Sequence, residues 1–400
     1  MRILVVAGGF PLRSETFVRE QCTGLVEDGH EVTVLASRDG DGTWSARDLA
    51  AGLPARTRTA RIEAPLARRL ALALRRPREA FAALAPSLGW RAVSGQLLAC
   101  AEALGPDRRF DAIHAQFGPS GRLIELCRAA GLVEGPIATA FYGYDLTREL
   151  RISGPRTYAR LFANAALLLP NSDYLAGRLR EAGAPAARIV THHLGIDLAA
   201  FPFVDRRGRS GPPVALAAGR LVEKKGFEYL IRGLAEAGDR FPGFVRIAGD
   251  GPLLGRLESL ARELGVADRV AILGWRSPVE VAAEMRDADL LVVPSVTAED
   301  GDMEGLPVVM TEAMATGLPI VGTRHSGIPE AIRDGVNGRL VDERDVAGLA
   351  AALAEWSDRD RRLAAAEPSR AIAEAEFDGR ALGRRLTGLL ASIREGGPSM

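Results

Sequence analysis

The stretch "EGLPVVMTE" carries two carboxylates, Glu304 and Glu312, eight positions apart around a proline. Pro307 suits the first position of a helix, Gly305 and Leu306 precede it with open amides, and Gly317 is a natural helix stop. Glu304 therefore sits in the loop at the helix mouth, while Glu312 lies roughly 7 Å beyond Pro307 along the axis at ~1.5 Å per residue. Carboxylates so spaced can grip different parts of one elongated ligand. The complement is in "AAGRLVEKKGFEYL", where Gly219 opens a loop in which Arg220 and Lys225 stand just before a glycine and a helix start. An anion already gains there from the helix dipole, and a diphosphate fits. Lys224 and Lys225 are the only lysines among 51 basic residues. Their placing together in this loop favours function over a solvated charge pair, with Lys225, beside the glycine, the better candidate. Carboxylates near a diphosphate are repelled by its oxygens and are better used as acceptors for sugar hydroxyls. A nucleotide has one sugar, and a sugar nucleotide has two. Helix-dipole placement of an acid explains Glu304 but not Glu312.

Other loops are less specific. "AGDGPLLGRL", with Gly251, is either a glycine-rich phosphate loop or a plain turn. In "GGFPLRSETFVREQ", Gly8 and Gly9 allow close backbone approach and Ser14 can cap the following helix, so the loop either presents amides to an anion or simply turns. His114 ends the strand in "FDAIHAQFG" and is either an acceptor-side group or a satisfied strand-end histidine. Asp300 and Asp302 form a D-x-D pattern that could hold a divalent cation, although it falls late in a second α/β series. Gly8-Gly9 lacks the third spaced glycine of a dinucleotide fingerprint. Two lysines in one phosphate-type loop leave none for a pyridoxal Schiff base.

These loops need a scaffold, and the apolar runs supply it. Runs of four to six residues alternate with helical segments, the signature of a doubly wound parallel sheet. The pattern occurs twice, with strands expected at 3–7, 31–36, 112–115, 137–141 and 167–170, then at 214–218, 244–248, 270–273, 290–293 and 320–322. In such sheets ligands bind at the carboxyl ends of strands, where all of these loops fall. "FPFVDRRGRSGPP" reads as an interdomain linker, giving expected domains 1–204 and 205–375, with an amphipathic helix in 376–400.

A chain of 400 residues with 47% hydrophobic content fits two domains. Fifty-one basic residues balance 51 acidic ones, so no global field favours nucleic acid. Cys22, Cys100 and Cys127 are too scattered for a disulfide framework or a zinc site, which fits a reducing, cytoplasmic location. The first apolar run stops at Gly-Gly, and none approaches the ~18 residues of a membrane helix. From Arg56 to Arg78 eight arginines face a single acid, Glu63. This segment either rests on an anionic membrane surface, making the protein peripheral, or is a solvated helix face.

The segment "EGLPVVMTEAMATGLPIVGTRHSGIPEAI" resembles the E-x7-E signature of retaining, sugar-nucleotide-dependent glycosyltransferases of the family 4 type. "GRLVEKKG", "AGDGPL", "LGW" and "HHLGIDLAAF" follow in that family's order and spacing, so the resemblance covers nearly the whole chain. "FPLRSETFVREQ" and "GDMEGLPV" are similar to a subgroup associated with exopolysaccharide and colanic-acid-like synthesis. The resemblance implies an α/β GT-B fold, two Rossmann-like domains with parallel sheets facing a central cleft, whose last helix crosses back to the N-terminal domain. It implies that Glu304 contacts the donor sugar, Glu312 the ribose, and Arg220 and Lys225 the diphosphate. Gly9, Gly219, Gly251, Gly305, Leu306 and Pro307 would line the donor, and Ser14, Glu15, His114 and Asp145 the acceptor side. In "FYGYDLT" Tyr142 stands where the family often has histidine. A phenol can still hydrogen-bond but carries no positive charge near neutral pH. The implied reaction moves a hexose from a nucleoside-diphosphate sugar to a glycan or lipid-linked acceptor by front-face substitution, with no cofactor or metal. A soluble natural-product acceptor and a non-catalytic sugar-nucleotide-binding homologue are the competing readings.

Overall fold

The computed structural model describes residues 1–62 and 95–394, with positions 74, 75, 77 and 80 between them. The basic segment from Arg56 to Arg78 lies largely outside the described residues. By contacts the chain forms two compact units. The first comprises Met1–Asn171, Leu175–His192 and the stretch from Arg380, and the second Ser172–Tyr174 with His193–Gly379.

The first unit holds a six-stranded parallel sheet of β1 (Arg2–Phe10), β2 (Glu31–Asp39), β3 (Thr57–Thr59), β4 (Ala112–Gln116), β5 (Ile137–Phe141) and β6 (Leu167–Pro170), in the order β3-β2-β1-β4-β5-β6. The second repeats it with β7 (Val214–Ala218), β8 (Phe244–Ala248), β9 (Val270–Gly274), β10 (Leu290–Val293), β11 (Ile320–Thr323) and β12 (Gly338–Val341), ordered β12-β11-β10-β7-β8-β9. The strand order reverses between β1 and β4 and again between β7 and β10. At such points neighbouring loops diverge to opposite faces and leave a crevice.

Strands covered by helices on both faces read as apolar runs rather than alternations. In β1, Leu4 and Val6 join one core while Ile3, Val5 and Ala7 join another. In β10, Leu290 and Val292 face one side and Leu291 and Val293 the other. The two described strands missed in the sequence, β3 and β12, each form one edge of a sheet, the other edges being β6 and β9. Thr-Arg-Thr and Gly-Arg-Leu-Val are too short and too polar to stand out as apolar runs. The helix Gly379–Arg394 buries Leu386, Leu390 and Ile393, at helical spacing, in the core containing Ile3 and Val5. No described helix is long and apolar enough to cross a membrane.

The segment expected to be a linker is built into the second unit, within its long stretch His193–Gly379. Phe201 is buried in its core. Arg206, 7% exposed, donates to the carbonyls of Ala288 at 2.9 Å, Thr316 at 2.7 Å, Met285 at 2.9 Å and Val204 at 3.2 Å. Burial pulls its guanidinium down to about 10, yet four carbonyl dipoles replace the lost water. The Arg/Gly/Pro composition of this stretch resembles a linker because a buried, self-satisfied arginine is indistinguishable from a solvated one in sequence. Substitution Arg206→Met takes this donor from all four carbonyls, of which those of Thr316 and Ala288 keep a second one in the Val204 N–H and Arg209, and should lower unfolding stability by about 3 kcal/mol in urea denaturation; a loss below about 0.5 kcal/mol, the size of an ordinary surface change, would contradict this role.

Candidate functional site

In the second unit the loops after β7 and β10 meet at the reversal point. Lys225 Nζ lies 3.1 Å from Glu304 Oε2, and Lys224 Nζ lies 3.4 Å from Glu304 Oε1 and 3.1 Å from Asp302 Oδ1. The side chain of Glu304 is only 12% exposed. Burial alone would raise its pKa, but the two ammonium groups overcome this and hold the carboxyl down to about 2. Lys224 is likewise desolvated, and Glu304 with Asp302 drives its pKa up. Both lysines are thus members of one ion cluster, which accounts for their adjacency. The loops approach closely because Gly226 has φ of 65° and any Cβ there would meet the Pro294 carbonyl oxygen at 1.8 Å. The Val296 N–H donates to the Lys224 carbonyl at 2.9 Å, tying the loops together. Gly219 lies against the Lys225 side chain, whose Cε would be 3.0 Å from an added Cβ.

Glu304 leads into the helix Val308–Ala315, with Pro307 at the cap position in an extended conformation rather than inside the first turn. Gly305 and the buried Leu306 donate no amide hydrogen bond to any described residue. Glu304 Oε1 is buried without a hydrogen-bond partner. Two amides without acceptors among the described residues and a buried carboxylate oxygen without a hydrogen-bond donor thus adjoin the lysines. Arg220 is exposed and pairs with no described acid. Glu312, half-buried, follows one to two turns into the helix. Gly251 serves packing: a Cβ there would meet Leu221 backbone atoms at 2.7 and 2.8 Å. Asp302 commits its carboxylate to Lys224, and its N–H donates to Asp300 Oδ1 at 2.9 Å.

The first unit gathers neutral groups at its own reversal point. The Tyr142 hydroxyl donates to Gln116 Oε1 at 2.5 Å, Gln116 Nε2 donates to Gln21 Oε1 at 3.0 Å, and His114 Nε2 lies 3.3 Å from the same oxygen. His114 is buried, and burial pushes its pKa down to about 4, so the ring is uncharged. The rings of Phe17 and Phe117 each lie 4.7 Å from that of Tyr142. Asp145 is buried with its carboxylate accepting from the amides of Tyr142 at 3.2 Å, Gly143 at 3.0 Å and Gly118 at 3.1 Å. It shapes the loop after β5 and anchors the helix Gly118–Ala129. Burial still raises it to about 6 against those amides. Gly9 lies within β1, against the Leu12 side chain. Ser14 caps nothing: the helix Thr16–Glu27 starts one residue later than expected, with Glu15 at the cap position and no side-chain cap bond. Burial raises the Glu15 carboxyl to about 7 in spite of Arg38.

Family models described as "Glycosyl transferases group 1" and "Glycosyl transferase 4-like domain" match residues 204–374 and 14–195. A protein of Salmonella typhimurium named for colanic acid biosynthesis, the glycosyltransferase WcaL, is 36% identical over 403 residues, 96% of this chain and 98% of that protein. The chain belongs to this glycosyltransferase family. The amylovoran biosynthesis glycosyltransferase AmsK of Erwinia amylovora is 33% identical over 98% of this chain and all of its own, 100%. Among solved structures, Anabaena HepE in complex with UDP-glucose matches with a TM-score of 0.73 and 21% identity over 98% of this chain and 100% of that one. Sucrose-phosphate synthase from Thermosynechococcus elongatus gives 0.75 and 18% over 99% and 100%. The fold is that of GT-B glycosyltransferases.

Sequence reasoning about this glycosyltransferase missed Lys224 as a partner of Glu304, and missed Gln21, Gln116 and Glu343 altogether. Two adjacent lysines in an arginine-writing chain were the available signal for the first. A glutamine or glutamate whose partner lies far along the chain leaves none. Two pH tests follow from the buried carboxyls. Glu304 has a folded pKa below its ordinary 4.5, so its stabilisation is present above that value and lost as pH falls toward 2. Wild type should exceed Glu304→Gln by on the order of 3 kcal/mol at pH 7 and by much less at pH 3 in urea denaturation; an unchanged difference would refute the ion cluster. Glu15 shifts the other way, so its contribution is present below about 4.5 and lost as pH rises through about 7. Glu15→Gln should therefore become the more stable protein above pH 7, by up to about 3 kcal/mol, with the two proteins converging in acid.

Proposed function

We propose that this protein is a retaining, metal-independent hexosyltransferase that moves a sugar from a nucleoside diphosphate to a hydroxyl of a glycan or lipid-linked saccharide in exopolysaccharide synthesis. The observation that carries the reading is the Glu304–Lys225 pair, 3.1 Å apart, beside the open amides of Gly305 and Leu306. Cations and amide donors suit a diphosphate, and a carboxylate locked in its charged form suits sugar hydroxyls. The names of WcaL and AmsK support the exopolysaccharide role. The UDP-glucose with which HepE forms its complex supports a sugar-nucleotide donor.

In this reading Arg220, Lys225 and the two amides hold the diphosphate, Glu304 accepts hydroxyls of the transferred sugar, and Glu312 accepts those of the ribose. Glu304, held down to about 2 by two ammonium groups, is a weak base and a weak nucleophile. A covalent glycosyl-enzyme through it is therefore disfavoured, and same-face substitution remains. The anomeric C–O bond to phosphate breaks, the acceptor oxygen bonds to that carbon on the same face, and the acceptor proton passes to the departing phosphate oxygen. Fixed cations and amides stabilise the charge that develops on the leaving diphosphate. Metal independence is favoured by the commitment of Asp302 to Lys224 at 3.1 Å, which takes one carboxylate of the D-x-D pair out of play.

Thermal unfolding with UDP, GDP, ADP, dTDP or NAD, each with EDTA, tests the site. One nucleoside diphosphate should raise Tm by several degrees, in line with ~2.7 kcal/mol at a hundredfold excess over Kd. Arg220→Ala, which alters an exposed side chain, should abolish most of that rise without changing the unliganded Tm. Stabilisation by NAD alone, or only when a divalent cation is added, would overturn the proposal.

A further inference from the structure

A carboxylate is only as well placed as the peptide that carries it, and the peptide of Glu304 is gripped from one loop. Beyond β11, His325 Nε2 accepts the Glu304 N–H at 3.1 Å, and the Gly327 N–H donates to the Gly305 carbonyl at 3.2 Å. Ser326 between them has φ of 49°, a conformation that residues with side chains seldom adopt. The turn thereby brings its two grips to bear on consecutive residues, through the Glu304 N–H and the Gly305 carbonyl, and so brackets the peptide group that joins them.

The hydrogen-bond chemistry fixes the histidine's state. A backbone N–H can only donate, so Nε2 must carry the lone pair and the ring proton must sit on Nδ1. Nδ1 is 2.6 Å from Glu343 Oε1, which receives that proton. Glu343 is itself anchored by Thr297, whose N–H and hydroxyl donate to it at 2.7 and 3.2 Å. His325 is fully buried, and that burial lowers its pKa despite Glu343. Both ring nitrogens are in use, so the ring is not available as a base.

We propose that His325, held in its Nδ1–H tautomer by Glu343, is a positioning residue that sets Glu304 for its contact with the transferred sugar. This rests on Glu304 accepting sugar hydroxyls, as argued above. The lysines attract the carboxylate from two sides but give it little direction, since Coulomb attraction varies slowly with angle. The His325 bond fixes the backbone from which the side chain hangs. A displacement of about 1 Å at such a group can lower turnover about a hundredfold.

Two near-isosteres separate this role from others. Glutamine carries a carbonyl oxygen near the place of Nε2 and can still accept the Glu304 N–H, whereas asparagine reaches only the place of Nδ1. His325→Gln should keep kcat/KM within about threefold of wild type, while His325→Asn should lose on the order of a hundredfold, mostly in kcat, with nucleoside-diphosphate stabilisation retained. Equal losses in the two variants would overturn the proposal, as would full activity in His325→Asn. A second measurement needs no turnover. The 15N shifts of labelled histidines should show His325 as the Nδ1–H tautomer. An Nε2–H tautomer in wild type would overturn the inference. Failure of the wild type to turn over any sugar nucleotide would instead strike the functional reading, with the tautomer still deciding whether His325 holds Glu304.

Discussion

The ion cluster of Glu304, Asp302, Lys224 and Lys225 is the constraint around which the second unit is arranged. Two ammonium groups face two carboxylates within 3.4 Å, so the cluster is neutral as a set and tolerates partial burial. Removing one member would strand the rest, because a buried charge without its counterion costs several kcal/mol. The backbone serves this balance throughout. Gly226 lets two loops approach, the Val296 amide ties them, and the Glu299 amide donates to Glu223 at 3.0 Å. Beyond β11 and β12, His325 and Glu343 complete the support. Four strand ends thus converge on one carboxylate, as expected where strand order reverses.

The first unit treats the same topological position differently. Its residues below the aromatic rings form a chain of neutral donors and acceptors from Tyr142 to His114. The nearby carboxyls are pushed up, Glu15 to about 7 and Asp145 to about 6, whereas Glu304 of the second unit's cluster is held down to about 2. Neutral polar groups beside aromatic faces suit uncharged hydroxyl-bearing rings, whereas fixed charges suit phosphate. The two units thus share one architecture but carry different side chains at the corresponding strand ends.

Much of this was legible in the sequence, for identifiable reasons. Buried parallel strands appear as apolar runs, so ten strands were visible, and of the described strands only β3 and β12, each at one edge of a sheet, escaped. Lys225 and Glu304 were legible by residue type, rarity and position after a strand. The supporting groups were not. Asp145 looked like a ligand-facing acid but serves three backbone amides. Arg206 looked like part of a linker but serves four carbonyls. Gly251 could be read as part of a phosphate loop or of a plain turn, and its lack of a side chain permits close packing of two loops. Asp145 and Arg206 satisfy backbone groups, which leave no signature in sequence because all residues but proline share the same main-chain donors and acceptors.

The neutrality of the cluster has a consequence for how a diphosphate would be held. Lys225 already has a counterion in Glu304, so an incoming anion must share it, and the shared cation attracts each partner less than it would alone. The additional positive potential must come from groups outside the cluster. Arg220, exposed and paired with no described acid, and the amides of Gly305 and Leu306 are the groups placed to supply it. As phosphate draws Lys225 toward itself, Glu304 loses part of its ionic partner and its buried Oε1, already without a hydrogen bond, gains more from a sugar hydroxyl. On the proposed donor reading, sugar and diphosphate recognition would then be coupled through one ammonium group. A ligand carrying both parts gains from that coupling, and a free diphosphate does not.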